Sequence, residues 1–281
     1  MRKRKLIIKD LSCKSISLLV LLLILAFIIL PIFWVIITGL KTDTDLAHVP
    51  PSYFPSPPTL KNFLYFIDYG ALKFAKNSLI ITLTTVICVL VLTLPTSYFL
   101  SRFRFPGRKI VIGGLVISQM FPGILYLIPY YQLFDALNLI NTLSCVTISL
   151  VSANFSFSIL ILFTFIHTIP QEIDESAMID GCSRFKALIK VIIPAAYPGI
   201  IAITIYNIVI SWNVFLSAYA YITDDAKMNL QVALAMMESA LYNTWGQRMA
   251  ATTLVALPII ILFYIFQRYL VQGLTAGAVK E

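Results

Sequence analysis

A polar stretch between two long apolar runs, residues 168–194, carries a dense set of ionisable side chains. Its acids and bases are Glu172, Asp174, Glu175, Asp180, Arg184, Lys186 and Lys190. Pro170 suits the first position of a helix, and the acids after it lie where the helix dipole favours negative charge. Gly181 can take the left-handed conformation that ends a helix, and Ser183 can cap a second one. The pattern predicts two short amphipathic helices, too charged for lipid, that recognise a groove of another protein.

A second set of polar side chains lies inside the apolar runs. Its members are Gln119, Tyr126 and Tyr130 in one run and Asn207, Ser211 and Asn213 in another. The spacing of the first three puts them and Gly123 on one helical face, while Pro122 and Pro129 are expected to kink that helix. Polar side chains in a span usually face a protein interior or a water-filled cavity. Two interpretations stay open: a packing face between helices, or a path for a polyol in which amides bind hydroxyls and aromatic rings stack on its ring faces.

These residues must be positioned by helices that cross a membrane. The chain has 281 residues, 59% hydrophobic and only 12% charged, and its mean hydropathy is +0.89. A soluble domain has about 25% charged residues. A helical span needs roughly 20 mostly apolar residues, and a membrane strand would instead show alternating hydrophobicity. Six long apolar runs without alternation meet the helical criterion: 15–38, 77–99, 110–134, 143–167, 195–219 and 250–270. We predict an all-α integral membrane protein with six transmembrane helices.

The basic residues are divided unevenly between the two sides of these helices. Fifteen of the 21 fall on the side with both termini, the loop at 102–109 and the polar stretch, and six fall on the other. The side richer in lysine and arginine normally faces the cytoplasm. Both termini and the polar stretch are therefore expected in the cytoplasm. The formal net charge of +8 is explained by this asymmetry and needs no nucleic-acid partner.

The sequence lacks the residue patterns of metal binding, ATP hydrolysis and glycoside hydrolysis. His48 and His167 fall on opposite sides of the predicted topology and the four cysteines are isolated, so no metal site is expected. There is no G-x-x-x-x-G-K-S/T phosphate-binding loop, so the chain is not expected to hydrolyse ATP. No H-E-x-x-H motif and no acid pair suited to glycoside hydrolysis are found. We expect neither a catalytic residue nor a cofactor bound by this chain.

Within the polar stretch, Glu175-Ser176-Ala177 is followed after three residues by Gly181 and after nine more by Val191-Ile192-Ile193-Pro194. This spacing resembles the EAA motif of ABC importer permeases. The family has Ala, Ile and Leu where this chain has Ser176, Val191 and Ile193, which keeps size or apolar character. Residues 119–122 with 133–135 (QMFP and LFD), and the ending at 267–280 (QRYLVQGLTAGAVK), are similar to the maltose-type sugar permease.

The resemblance implies a type I ABC importer permease fold in three segments. Residues 1–70 would hold the basic N-terminal segment, first helix and outer loop, 71–270 the permease core, and 271–281 a cytoplasmic tail. The chain would import a sugar, an oligosaccharide of the maltose or maltodextrin type, by alternating access. The implied ATPase contacts are Glu175, Ser176, Ala177, Asp180, Gly181 and Pro194, with Gly273, Thr275 and Gly277 in the tail. Glu175 is implied to pair with an ATPase arginine.

The implied partners are a homologous second permease, two cytoplasmic ATPases that hold ATP and Mg²⁺, and an extracytoplasmic sugar-binding protein. The complex would lie in the lipid bilayer of a bacterial or archaeal cytoplasmic membrane.

Three other functions stay open. A secondary sugar carrier would usually keep a carboxylate within a span to couple transport to an ion, and the sequence places none deep in a span. An ABC permease for a non-sugar solute, such as a polyamine or phosphonate, is disfavoured mainly by the ending at 267–280. A membrane enzyme for lipid-linked sugars would need a carboxylate cluster at the membrane surface, whereas the acids here follow the EAA-like spacing.

Overall fold

The computed structural model describes residues 2–239 and 244–276, with side chains for 16–237 and 244–267. This part of the chain is mostly helical and contains no strand, which confirms the all-α prediction. The helices are α1 (Arg2–Gly39), α2 (Asp43–Leu46), α3 (Lys61–Asp68), α4 (Ala71–Arg102), α5 (Arg108–Ser118), α6 (Leu127–Ala136), α7 (Leu143–Thr168), α8 (Gln171–Ile179), α9 (Arg184–Ala187), α10 (Ile193–Ala195), α11 (Tyr197–Trp212), α12 (Leu216–Tyr221), α13 (Leu230–Ser239) and α14 (Trp245–Ala276). Short 3₁₀ turns occur at Gly123–Tyr126 and Asp225–Lys227, and a π-helical turn at Leu188–Ile192.

Four of these helices are long and apolar enough to cross a membrane on their own. The spans are Ile16–Gly39, Ala71–Arg102, Leu143–Thr168 and Trp245–Gln267. Two bent pairs, Arg108–Ser118 with Gly123–Ala136 and Arg184–Ala195 with Tyr197–Trp212, raise the number to six if each pair makes one span. The order of these six segments along the chain matches that of the six predicted runs.

The third predicted run is broken rather than kinked. The sequence predicted one helix over 110–134, but α5 ends at Ser118 and the chain bends by 96° before Gly123–Ala136. Pro122 explains the break, because it has no backbone N–H and disfavours the helical conformation in the residue before it. Pro129 lies in the first turn of α6, where a missing N–H costs little, and it does not interrupt that helix.

The fifth predicted run is shorter than the sequence suggested. It was expected over 195–219, but α11 covers Tyr197–Trp212 and meets the preceding Arg184–Ala195 segment at 79°. Pro198 lies at the start of α11, where its missing N–H needs no partner, so a new helix begins there. After Asn213 the chain leaves the helix and resumes as α12.

Residues 70–235 and 257–281 form the larger of two compact units. In this unit α4, α7 and α11 pack against one another. A buried cluster consists of Tyr98, Leu162, Ile166, Leu188, Ile192, Ala196 and Ile203. Small polar side chains of α4 are also buried, namely Ser78, Thr82, Thr85, Thr93 and Ser97. Small residues allow close approach of helices in a membrane, and the Ser97 hydroxyl donates to the Ile159 carbonyl at 3.2 Å.

Residues 1–69 and 236–256 form the second unit. Asn62 of α3 donates hydrogen bonds to the carbonyls of Gly39 at 2.9 Å and Lys41 at 2.8 Å, which holds the chain that follows α1. A Cβ atom at Gly246 would lie 2.6 Å from Asn62 Nδ2, so the start of α14 approaches α3 because residue 246 has no side chain. None of the predicted site residues lies in this unit.

Candidate functional site

The polar stretch folds as a hairpin of short helices, residues 171–195, which we name the polar hairpin. Its first arm, α8, ends at a turn in which Gly181 has φ = +84°, the left-handed conformation predicted from the sequence. The amides of Gly181 and Cys182 close this turn on the carbonyls of Met178 (3.1 Å) and Ala177 (3.0 Å). Ser183 then accepts from the Lys186 amide at 3.3 Å and caps α9. The predicted order of helix, turn and helix is confirmed.

The second arm of the hairpin is less regular than the sequence predicted. In a regular α-helix, the spacing of Phe185, Leu188, Ile189 and Ile192 would place the four side chains on one apolar face. Instead α9 passes into the π-helical turn Leu188–Ile192, which buries Leu188 and Ile192 and leaves the other two exposed. Leu188 and Ile192 lie four residues apart on the inward side, and Phe185 and Ile189 lie four residues apart on the outward side. The arm therefore has one face in the protein core and one face outward.

A buried ion pair fixes the first arm to the spans. The Arg102 guanidinium at the end of α4 contacts the Asp174 carboxylate, and the two side chains are only 4% and 7% exposed. The Tyr98 hydroxyl donates to the same carboxylate at 3.4 Å, and Arg102 Nη1 donates to the Ile166 carbonyl of α7 at 3.2 Å. From the sequence, Asp174 was only one of the acids of the polar stretch, and its pairing with Arg102 was not predicted. The sequence offered one signal, the spacing of three residues that places Asp174 on the same helical face as Ala177, and the structure buries both.

The outward face of the hairpin combines charge with exposed apolar side chains. Glu175, Ser176, Asp180 and Pro194 are exposed, while Ala177 is on the buried side. The Ser176 hydroxyl donates to the Glu172 carbonyl of its own helix at 2.7 Å. The exposed apolar side chains of the hairpin are Ile173, Ile179 (86% exposed), Phe185 (68%) and Ile189. Such a cluster on an otherwise polar segment is typical of a surface that contacts another protein.

A cleft of about 360 Å³ lies in the larger unit, where the broken third span faces α7 and α12. Its lining residues are Ser118, Gln119, Phe121, Gly123, Tyr126, Leu127, Tyr130, Ser149, Leu150, Ser152, Ala153, Ser156, Ser217 and Tyr221. Gln119, Tyr126 and Tyr130 were predicted to share one helical face. The break at Pro122 separates Gln119 from the two tyrosines, yet all three line this cleft. The serines of α7 and residues 217 and 221 were missed, because their pairing with the third span depends on tertiary packing.

Aromatic contacts and hydrogen bonds give the cleft wall a fixed geometry. The rings of Tyr126 and Tyr130 are stacked, with centroids 5.9 Å apart and an angle of 23° between their planes. The Tyr130 hydroxyl donates to Ser152 Oγ at 2.9 Å. Burial raises the pKa of Tyr221 to about 12, so this phenol stays neutral, and it donates to the Leu127 carbonyl at 3.4 Å. The wall thus presents hydroxyls and stacked rings without charge.

The other predicted path residues lie outside the cleft lining. Asn207 is buried, and its amide donates to Ser158 Oγ of α7 at 3.0 Å and to the Ile203 carbonyl at 2.7 Å. Ser211 is buried one turn further along α11. Asn213 is exposed, donates to the Val209 carbonyl at 2.9 Å and accepts from Gln231 at 3.2 Å. The bond between Asn207 and Ser158 joins α11 to α7.

The predicted tail contacts are described only in part. The backbone of Gly273 and Thr275 lies in α14, which continues as a helix to Ala276 beyond the predicted end of the sixth span at 270. Gly277 lies outside the described residues, as do the side chains of 268–276. In the part of the chain that the structure describes, no three histidine, cysteine or acidic side chains are grouped as metal ligands.

Comparison with known proteins places the chain in a family. Residues 11–276 match the family described as binding-protein-dependent transport system inner membrane component. The chain is 33% identical over 254 residues to the diacetylchitobiose uptake system permease protein DasC of Streptomyces coelicolor, covering 90% of this chain and 92% of the relative. It is 29% identical to the trehalose/maltose transport system permease protein MalG of Thermococcus litoralis, covering 95% and 97%. It is 31% identical to the sulfoquinovosyl glycerol transport system permease protein SmoH of Agrobacterium fabrum, covering 89% and 88%.

A solved structure is similar throughout the fold. It is a chain of a bacterial ABC transporter involved in the import of the acidic polysaccharide alginate, with a TM-score of 0.79 at 22% identity over 91% of this chain and 95% of that chain. The likeness confirms the predicted type I ABC importer permease fold. The protein is therefore a multi-pass membrane protein, and it belongs to the binding-protein-dependent transport system inner membrane components, the permease subunits of ABC importers.

Proposed function

We propose that this chain is the permease subunit of an ATP-driven importer that carries a sugar across the cytoplasmic membrane by alternating access. The relatives named for diacetylchitobiose, trehalose and maltose, and sulfoquinovosyl glycerol support a glycosyl substrate, since each of those names contains a sugar unit. They do not favour one sugar over another. The maltose or maltodextrin type implied by the ending at 267–280 is one member of this class.

The polar hairpin is the proposed contact with a separate ATPase subunit. The observation that carries this proposal is the combination of an outward apolar face on residues 179 and 185 with a buried ion pair between Asp174 and Arg102. The first provides a surface for a partner, and the second ties that surface to α4 and α7. A displacement of the hairpin would therefore be passed to the spans as a rigid movement rather than absorbed by a flexible loop.

Individual residues of the motif have proposed roles in this contact. Glu175 is exposed and is proposed to pair with an arginine of the ATPase. Gly181 gives the turn, and Pro194 lies just before the 79° bend at which the hairpin enters α11. Ser176, Ala177 and Asp180 complete the proposed contact region, with the tail residues Gly273, Thr275 and Gly277 as a second contact.

A permease that does not itself hydrolyse ATP needs other subunits to form a working importer. We propose a second homologous permease, two ATPase subunits that bind ATP and Mg²⁺, and an extracytoplasmic binding protein that delivers the sugar. The chain itself would bind no cofactor and catalyse no reaction. Both termini and the hairpin would face the cytoplasm, as the distribution of lysine and arginine predicts. The membrane would be the cytoplasmic membrane of a bacterium or archaeon.

Site-directed crosslinking tests the contact. We would introduce Ile179→Cys together with Cys182→Ser, reconstitute the complete importer in proteoliposomes and add a short bifunctional thiol reagent. The expected result is a crosslink to the ATPase subunit, and ATP-dependent sugar uptake by the uncrosslinked complex. The matched control is Phe99→Cys in the same background, because Phe99 is exposed within α4 and belongs to a span. Equal crosslinking from both positions, or from neither, would contradict the proposed contact.

The same proteoliposomes distinguish an ATP-driven importer from the alternative, a secondary sugar carrier. In that case the chain alone would take up sugar without ATP and without the ATPase subunits. The proposal for an importer expects uptake only with the binding protein outside and ATP on the ATPase side.

A further inference from the structure

The cleft between the broken third span, α7 and α12 has the chemistry of a sugar site. We propose that it binds one neutral glycosyl unit of the substrate during passage, so that this permease subunit contributes directly to substrate selection; this inference rests on the proposed transport function. Its volume of about 360 Å³ lies within the range of about 300–1,000 Å³ typical of small-molecule sites. A longer oligosaccharide would be held one unit at a time.

Several polar groups on the wall remain available for a ligand. Among the described residues, the side chains of Gln119, Ser156 and Ser217 form no hydrogen bond within the protein. Ser152 donates to the Ile148 carbonyl of its own helix at 2.9 Å and accepts from Tyr130 at 2.9 Å, so its oxygen can accept one further hydrogen bond. A sugar hydroxyl both donates and accepts, which suits a wall that mixes an amide with serine oxygens.

The stacked rings of Tyr126 and Tyr130 supply the apolar half of such a site. A pyranose ring has one face made mostly of C–H groups, which packs on an aromatic ring as other apolar groups do. Tyr130 is held by its hydrogen bond to Ser152, so the pair is oriented before a ligand enters. The Tyr126 hydroxyl forms no hydrogen bond to another described residue and remains available to the ligand. Preorganised rings lower the entropy cost of binding.

The absence of charge from the described lining points to the class of sugar. None of the fourteen described lining residues is acidic or basic. A carboxylate or sulfonate on a sugar would lose hydration on entering this cleft and would find no counter-charge there, which is costly. A uronate unit is therefore expected to bind much more weakly than an uncharged one of the same size.

Binding can be measured without transport. In the purified complete importer, Phe121→Trp places a fluorescent side chain in the cleft, and Tyr131→Trp places one on α6 outside the described lining. The probes are maltose, trehalose and diacetylchitobiose as neutral sugars and digalacturonate as the acidic one, all at millimolar concentration. We expect at least one neutral sugar to change the emission at position 121 but not at 131, and digalacturonate to change neither. No response at 121 to any neutral sugar, or an equal response to digalacturonate, would overturn the proposal.

Uptake measured with the same complex gives an independent outcome. Gln119→Ala and Tyr126→Ala are expected to lower the uptake kcat/KM for the transported neutral sugar by about five- to tenfold, the value of one lost hydrogen bond or stacking contact. Tyr126→Phe should lose less, and Tyr131→Ala should stay close to the unmodified importer. Stimulation of ATP hydrolysis by the loaded binding protein should persist in all four.

The two proposals fail in different ways. If the unmodified importer transports a neutral sugar with ATP but the cleft variants match Tyr131→Ala, only the cleft site is wrong. If the unmodified importer transports none of the sugars, the proposed function is wrong whatever the fluorescence reports.

Discussion

Arg102 and Asp174 are 72 residues apart in the sequence and form a buried ion pair at the junction of α4 and α8. The same cluster includes the Tyr98 hydroxyl and the Ile166 carbonyl, so a single acid of the polar hairpin is bound to α4 and, through arginine, to α7. Apolar packing of Leu188 supports the second arm in the same core. The hairpin is thus attached to two spans at both of its arms, which is the arrangement that rigid coupling needs.

Removing the arginine should uncouple the hairpin as well as weaken the fold. We predict that Arg102→Ala lowers the free energy of unfolding by about 3–5 kcal/mol, because it leaves the carboxylate of Asp174 buried without its counter-charge. Thermal unfolding of the purified importer, followed by tryptophan fluorescence, would measure the loss. Sugar uptake per ATP hydrolysed is expected to fall, since the hairpin would no longer move with α4.

Two further variants distinguish the effect of losing the ion pair from a nonspecific loss of stability. Arg104→Ala removes an exposed arginine two residues away and should change stability by less than about 0.5 kcal/mol. Arg102→Met combined with Asp174→Leu should recover much of the lost stability, because apolar pairs can replace buried ion pairs. A loss in Arg102→Ala no greater than in Arg104→Ala would show that the pair does not hold the hairpin.

Gly181 gives a second prediction, which concerns the turn between the two arms. Its φ of +84° is left-handed, and nothing lies within 4 Å of where a Cβ atom would be. A substitution at residue 181 is therefore limited by the backbone conformation and not by steric contact with neighbouring atoms. We predict that Gly181→Asp abolishes uptake and leaves membrane insertion intact, and that Gly181→Asn is tolerated better because asparagine adopts this conformation without adding charge. Uptake and membrane content of the two variants would be compared in vesicles. Normal uptake by Gly181→Asp would remove the turn from the coupling mechanism.

Local signals account for what could be predicted from the sequence. The helix, turn and helix of the hairpin follow from Pro170, Gly181 and Ser183, each of which acts within its own turn of chain. The six apolar runs follow from composition alone. Two features could not be predicted, because they join distant parts of the chain: the pairing of Arg102 with Asp174, and the meeting of the third span with α7 in the cleft. The broken third span is intermediate, since Pro122 indicated a kink but not a 96° bend.

Close packing of α11 on α7 gives a third prediction. A Cβ atom at Gly199 would lie 2.6 Å from Cγ of Phe165, a distance at which something must shift. Gly199→Ala is therefore expected to destabilise the protein by about 1–3 kcal/mol through overpacking. Gly114→Ala is the matched control in α5, where nothing lies within 4 Å and the better helix propensity of alanine should be neutral or stabilising. Thermal unfolding of both variants, and of Gly199→Ala with Phe165→Leu to relieve the clash, would test the contact.

Asn207 gives a fourth prediction, which separates the two interpretations of polar residues in the fifth span. Its amide is buried and bridges α11 to Ser158 of α7, so we expect Asn207→Ala to lower the free energy of unfolding by about 1 kcal/mol and leave the relative uptake of different sugars unchanged. Thr204→Ala serves as the control in the same helix, since the Thr204 hydroxyl donates to the Ile200 carbonyl of α11 itself at 2.7 Å. Unaltered stability together with a changed preference among sugars would instead assign Asn207 to the substrate path, because the side chain would then act on the substrate rather than on the fold.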